Sequence, residues 1–93
     1  MEYVVYILYS EKLNRYYTGQ TSDITARMHF HENAEIHKYT YNADDWQLKL
    51  HISCCSKEQG AAIEKHIKAM KSRVYIDNLL QYPEMVEKLK TKY

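Results

Sequence analysis

The sequence predicts an α+β fold in which a small three-stranded antiparallel sheet is flanked by helices. Two stretches near the N-terminus are rich in Tyr, Val and Ile, as strands are. A third stretch alternates apolar and polar residues with a period of two, and the last third repeats apolar residues at helical spacing. With 93 residues, 45 % of them hydrophobic, the chain has the size and core of one domain. We therefore expect residues 1–93 to form a single domain.

The first two strands are predicted at residues 3–9 and 15–20, and the intervening stretch SEKLN has the composition of a turn. This arrangement is typical of an antiparallel hairpin. Ser22 or Asp23 can then cap a helix that starts at about Ile24.

The third strand is predicted from Trp46 to Cys54, where apolar and polar residues alternate. Its apolar residues should all point to one buried side of the sheet: Trp46, Leu48, Leu50, Ile52 and Cys54.

Helices are predicted for the rest of the chain. Ser56 and Gln59 form a capping box for a helix that extends to about Arg73. The chain then either continues as a helix or restarts after a break near Ser72, and Pro83 suits the first turn of a final helix. Two apolar stripes should pack on the body of the domain: Ile63, Ile67, Met70 and Val74 in the first helix, and Met85, Val86 and Leu89 in the last.

Composition sets only weak limits on function. The formal net charge of +1 does not favour nucleic acid, but residues 65–73 carry four cationic side chains and no acid. Such a cluster could follow a phosphate backbone or could be a solvated helix face.

The sequence has neither a signal-peptide pattern nor an apolar run long enough to span a membrane. Cys54 and Cys55 are adjacent, which suits reduced thiols in a cytoplasmic protein better than a disulfide.

The order of three motifs points to a known family. Val4-Val5-Tyr6 is followed after ten residues by Tyr17-Thr18-Gly19, and then by D-x-x-x-R-x-x-x-H from Asp23 to His31. This order resembles the GIY-YIG nuclease family over essentially the whole chain, and small single-domain members most of all. It is also similar to the N-terminal nuclease domain of the excision-repair incision subunit. Gln20 stands where those repair nucleases carry a lysine, which argues against close functional equivalence with them.

The resemblance implies metal-dependent hydrolysis of DNA phosphodiester bonds and a set of catalytic residues. Tyr6 and Tyr17 would activate or position the attacking water, Arg27 would bind the scissile phosphate, and His31 would relay a proton. Glu64 would bind Mg²⁺ or Mn²⁺, for which one carboxylate plus waters and substrate oxygens is sufficient. Each has an ordinary alternative: the tyrosines as core, Arg27 as a solvated residue and His31 as a packing residue.

A second group of residues is predicted to contact the substrate: Gly19, Lys68, Lys71, Arg73 and Asn78. Gly19 should let the substrate or the start of the helix approach the backbone closely. The ordinary alternative for Lys68 is an i, i+4 ion pair with Glu64 on one helix.

These observations predict a DNA endonuclease. Because a near-neutral domain makes few phosphate contacts, cleavage is expected to need a separate DNA-binding protein partner, an oligomer or a structured substrate. The alternative is a catalytically silent nucleic-acid-binding or partner-docking module of the same fold. The sequence does not predict the oligomeric state.

Overall fold

The computed structural model describes residues 3–24 and 45–93. In these ranges the chain forms, in order, β1 (Tyr3–Ser10), β2 (Arg15–Thr21), β3 (Gln47–Cys54), α1 (Lys57–Met70), α2 (Arg73–Gln81) and α3 (Pro83–Lys92). The strands make one antiparallel sheet in the order β2-β1-β3, which confirms the predicted α+β fold. Apart from Ile24 itself, the helix predicted from about that residue lies outside the described residues. None of the described helices is long and apolar enough to cross a membrane.

The β1–β2 hairpin turns through Asn14, whose φ of 52° is in the left-handed region that asparagine tolerates. The Tyr9 hydroxyl donates a hydrogen bond to Asn14 Oδ1 at 2.6 Å. At the same end of the sheet the Ser10 hydroxyl donates to Asp45 Oδ1 at 2.7 Å, and the Lys12 N–H donates to Asp45 Oδ2 at 3.0 Å. These bonds hold the turn against the start of β3.

The two faces of the sheet are covered by different layers. One face carries Val5 and Ile7 and packs against the helices, and its buried core comprises Val5, Ile7, Ile52, Cys54, Ile63, Ile67, Leu79 and Leu89. The other face carries Tyr6 and Leu8, which pack with Trp46. The central strand β1 is therefore buried on both sides, as its continuous apolar sequence requires.

A register shift in β3 corrects the predicted strand. Ile7 pairs with Leu50 but Leu8 pairs with Leu48, so Lys49 is an extra residue opposite β1. Such a bulge reverses the alternation of side chains along the strand. Trp46 therefore packs with Tyr6 and Leu8, on the face opposite to the one that buries Ile52 and Cys54. The prediction that the apolar residues from Trp46 to Cys54 share one face was wrong.

Helix α1 begins as predicted, because the Gln59 N–H donates to the Ser56 hydroxyl at 3.0 Å. The Gln59 side chain reaches back one residue further than a capping box requires and accepts from the Cys55 N–H at 2.7 Å. Its amide group also donates to the Lys90 carbonyl at 3.0 Å. This buried side chain therefore joins the end of β3 to α3.

The predicted long helix ends at Met70. Lys71 has a φ of 47°, and Ser72 caps a new helix by accepting from the Tyr75 N–H. Because the break changes the helix axis, the apolar stripe does not continue across it. Ile63 and Ile67 are buried as predicted, but Met70 is 45 % exposed and Val74 is 67 % exposed. Placing those last two against the sheet was wrong.

Helix α3 starts with Pro83 in its first turn, as predicted. It buries Leu89, and Met85 and Val86 pack partly against the same core. The helix extends to Lys92, and the Tyr93 hydroxyl lies 2.8 Å from His66 Nδ1 on α1. The C-terminal residue is thus held against α1.

Candidate active site

Tyr6 and Tyr17 lie side by side on the face of the sheet opposite α1. Tyr17 pairs with Leu8, two residues along β1 from Tyr6, so both side chains point to the same face. Their ring centroids are 6.3 Å apart, with 37° between the ring planes. The Tyr17 ring also makes an edge contact with Trp46 at 6.4 Å. Tyr6 is only 1 % exposed, whereas Tyr17 is half-buried.

Gly19 allows the Tyr6 ring to cross from the central strand onto β2. The two residues are directly paired, and a Cβ at Gly19 would lie 2.4 Å from Tyr6 Oη and 2.5 Å from Tyr6 Cζ. Only glycine leaves space for this contact. The hydroxyl of Tyr6 consequently lies over β2, the outer strand that carries Tyr17. In the described residues the group that approaches Gly19 closely is this ring.

Glu64 is on α1, which packs against the other face of β1 and β2. Its carboxylate is 2.8 Å from Lys68 Nζ, and the Glu64 side chain is 22 % exposed. The pair has the i, i+4 spacing that gives an ordinary helix ion pair. The Gln20 side chain donates to the Lys57 carbonyl at 3.1 Å and so ties β2 to the first turn of α1. This bond sets the position of α1 beside the strand that carries Tyr17.

Within the described ranges no three His, Cys, Asp or Glu residues cluster as a metal site would require. A single carboxylate still suits Mg²⁺, which keeps several of its waters and takes phosphate oxygens from the substrate. Glu64 fits this role, because its side chain is partly exposed to solvent and its ion pair with Lys68 is made through Oε2.

A cleft of about 600 Å³ lies between β2 and the junction of α1 with α2. Its wall includes Tyr17 together with Lys68, Lys71 and Arg73, three residues predicted to contact the substrate. Asn78 is further along α2, is half-buried, and accepts the Tyr82 N–H through its backbone carbonyl. Arg27 and His31 lie outside the described residues.

Two further residues of this cleft, Arg15 and Tyr16, were not among the predicted site residues. The Tyr16 hydroxyl donates to Asp77 Oδ1 at 2.7 Å. Burial, followed by this hydrogen bond, raises the pKa of Tyr16 from 10.0 to about 12. Tyr16 therefore stays neutral at physiological pH. The only sequence signal for these two residues was their place beside Tyr17.

The chain is similar to known proteins over most of its length. The model of the GIY-YIG catalytic domain matches residues 2–76, a range that includes both tyrosines and Glu64. The solution NMR structure of the UPF0213 protein BH0048 from Bacillus halodurans matches with a TM-score of 0.56 and 30 % sequence identity, covering 87 % of this chain and 84 % of that one. Comparison with curated proteins finds no match. Because the family model spans most of the chain, this protein belongs to the GIY-YIG family.

Proposed function

We propose that this protein is an endonuclease that hydrolyses DNA phosphodiester bonds with the help of a divalent metal ion. The observation that carries the proposal is the Tyr6–Tyr17 pair, in which Gly19 lets the Tyr6 hydroxyl reach the outer strand. Family membership supplies the reaction class, since GIY-YIG domains are nuclease domains.

In this mechanism the two phenols orient the attacking water and handle its proton. Tyr17 is the more accessible of the pair, so we assign it the direct contact with the water, and Tyr6 supports it from the buried side. By family resemblance Arg27 neutralises the charge that develops on the phosphate, and His31 assists proton transfer. Glu64 would hold Mg²⁺ or Mn²⁺, whose Lewis acidity polarises the phosphate when the ion is bound.

We further infer that residues 1–93 act as one domain and rely on help to hold DNA. The formal charge of +1 provides little general attraction to a polyanion. A DNA-binding protein partner or a branched substrate would supply the missing affinity. Two unpaired thiols, Cys54 buried and Cys55 exposed, support a reducing compartment such as the cytoplasm.

The test is cleavage of labelled single-stranded, duplex and branched DNA with Mg²⁺, with Mn²⁺ and with chelator. Tyr17→Phe should lower the rate by about 10²–10⁴-fold, the range typical of a lost proton-transfer group. Glu64→Gln should also lower the rate strongly, because the metal ion loses its carboxylate ligand. Glu58→Gln on the first turn of α1 and Tyr82→Phe before α3 are matched controls and should leave the rate unchanged. Cleavage that survives chelator or both test substitutions would overturn the proposal.

A catalytically silent nucleic-acid-binding module is the second candidate, and the cationic cleft beside Tyr17 favours it. Such a module would retain DNA in chelator, lose it as salt rises, and cut none of the three substrates in either metal. The same set of incubations therefore separates the two functions.

A further inference from the structure

We propose that the cleft between β2 and the α1–α2 junction binds one unpaired nucleotide of the DNA substrate, with its base on an apolar floor and its phosphate on a cationic rim. This inference rests on the proposed function and specifies how substrate is held beside the candidate site. The cleft volume of about 600 Å³ is within the range of small-ligand sites.

The lining of the cleft has the two parts that a nucleotide needs. Ile76 and the Tyr16 ring, both half-buried, offer apolar surface for a base. The rim carries four cationic residues: Arg15, Lys68, Lys71 and Arg73. No acidic residue is among the described residues that line the cleft. Two carboxylates lie close to the rim: Asp77 accepts from the Tyr16 hydroxyl, and Glu64 is paired with Lys68. The four cationic side chains outnumber these two acids, so the net charge around the rim is positive.

Arg73 is held in place before any ligand arrives. Its guanidinium carbon lies 5.6 Å from the ring centroids of both Tyr9 and Tyr16. It donates to the Asn14 carbonyl at 3.4 Å and to the Tyr9 hydroxyl at 3.3 Å. These bonds leave further N–H groups of the planar guanidinium for a phosphate. A side chain that is already ordered loses little entropy on binding.

The position of the cleft links it to the candidate catalytic residues. Tyr17 belongs to the β2 wall of the cleft, although its ring packs on the opposite face of the sheet, and Lys68 on the rim is paired with Glu64. A nucleotide in the cleft would therefore lie beside Glu64, the residue proposed to hold the metal ion at the scissile phosphate. Its base would have to leave the duplex stack to reach the floor, which costs a few kcal/mol in paired DNA. We therefore expect preference for substrates with an unpaired nucleotide near the cut.

The test measures binding of a labelled oligo(dT) by fluorescence anisotropy, in chelator so that nothing is cut. Lys71→Gln and Arg15→Gln, both at exposed positions, should each weaken binding about 5- to 10-fold and lower the salt slope by about 0.7. Lys88→Gln on α3 is a matched charge control and should change neither quantity. A fully abasic strand of the same length should bind at least about 5-fold more weakly, because it offers no base to the floor in any register.

Each failure has a distinct meaning. Equal effects of Lys71→Gln and Lys88→Gln would show that the cleft is not used, and the inference would be wrong. Equal binding of oligo(dT) and the fully abasic strand, with a strong Lys71→Gln effect, would show a backbone contact without a base site, which also overturns it. Binding as expected without cleavage in Mg²⁺ or Mn²⁺ would instead refute the proposed nuclease alone.

Discussion

The contact between Gly19 and Tyr6 leads to a prediction about Gly19→Ala. The new methyl group would meet Tyr6 Oη at 2.4 Å and Cζ at 2.5 Å, both well inside van der Waals contact. The Tyr6 ring is rigid and packs against Leu8 and Trp46, so any shift of the ring would disturb this cluster. We therefore expect the substitution to push the ring off β2 or to distort the strand.

The expected cost can be worked out from this contact. Overpacking of a filled core costs about 1–3 kcal/mol. Replacing a strand glycine with alanine recovers about 0.5–1 kcal/mol of backbone entropy. The net loss in free energy of unfolding should be about 1–2 kcal/mol, which lowers Tm by about 5–15 °C in a domain of this size.

Gly60→Ala is a matched control on α1. Its Cβ would lie 2.5 Å from Gln20 Nε2, a distance similar to that at Gly19, but the obstacle is the end of a flexible side chain. Alanine in the helix gains about 1 kcal/mol, which roughly offsets the lost bond from Gln20 to Lys57. We therefore expect a change within about 0.5 kcal/mol.

Both variants can be followed by urea unfolding, with the fluorescence of the single tryptophan, Trp46, as the probe. In a Tyr6→Leu background the shorter side chain no longer covers Gly19, so Gly19→Ala should lose most of its cost. An equal cost in both backgrounds, or equal stability of the two glycine variants, would refute the steric explanation.

Three further predictions concern stability. The pKa of Tyr16 is about 12 in the folded protein and 10.0 ordinarily, so the neutral side chain stabilises the fold below pH 10, and this contribution is lost as the pH rises towards 12. Asp77→Asn should reduce this loss, which urea unfolding between pH 10 and 12 would measure. An unchanged dependence of the unfolding free energy on pH would contradict the prediction. Gln59→Leu should cost about 1–2 kcal/mol because two part-buried backbone groups, the Cys55 N–H and the Lys90 carbonyl, lose their partner. Gln47→Leu at an exposed position should cost under about 0.5 kcal/mol, and equal midpoints in urea would contradict this. Lys71→Gly should raise the unfolding free energy by about 0.5–1 kcal/mol, since glycine suits a φ of 47°; a lower Tm would contradict it.

Local patterns predicted most of the elements. The hairpin, the cap at Ser56 and the role of Pro83 each depend on a few neighbouring residues, so sequence alone was sufficient. The bulge at Lys49 could not be predicted, because the apolar alternation runs through it unchanged and only pairing with β1 reveals the extra residue. The sequence offered a break near Ser72 as one of two alternatives but could not decide between them, since lysine at position 71 does not signal a left-handed conformation.

In the candidate site, too, local sequence predicted some features and long-range contacts determine the others. The resemblance selected the motif residues Tyr6, Tyr17 and Gly19. The contact of the Tyr6 ring with Gly19, however, depends on the register that pairs the two residues. Tyr16 was missed because its partner Asp77 is 61 residues away, and only tertiary packing joins them. Long-range contacts of this kind leave no local pattern in a single sequence.

The central position of β1 has a consequence for how the protein folds. Tyr9 pairs with Tyr16 in the hairpin and with Gln47 in β3. The second pairing closes a loop about five times longer, which costs about 1.5 kcal/mol more in chain entropy. We therefore expect the hairpin to form early and the pairing of β3 to limit the folding rate. The Tyr6–Tyr17 pair needs only the hairpin, so it is expected to form before β3 and α1, which follow in the chain, join the sheet.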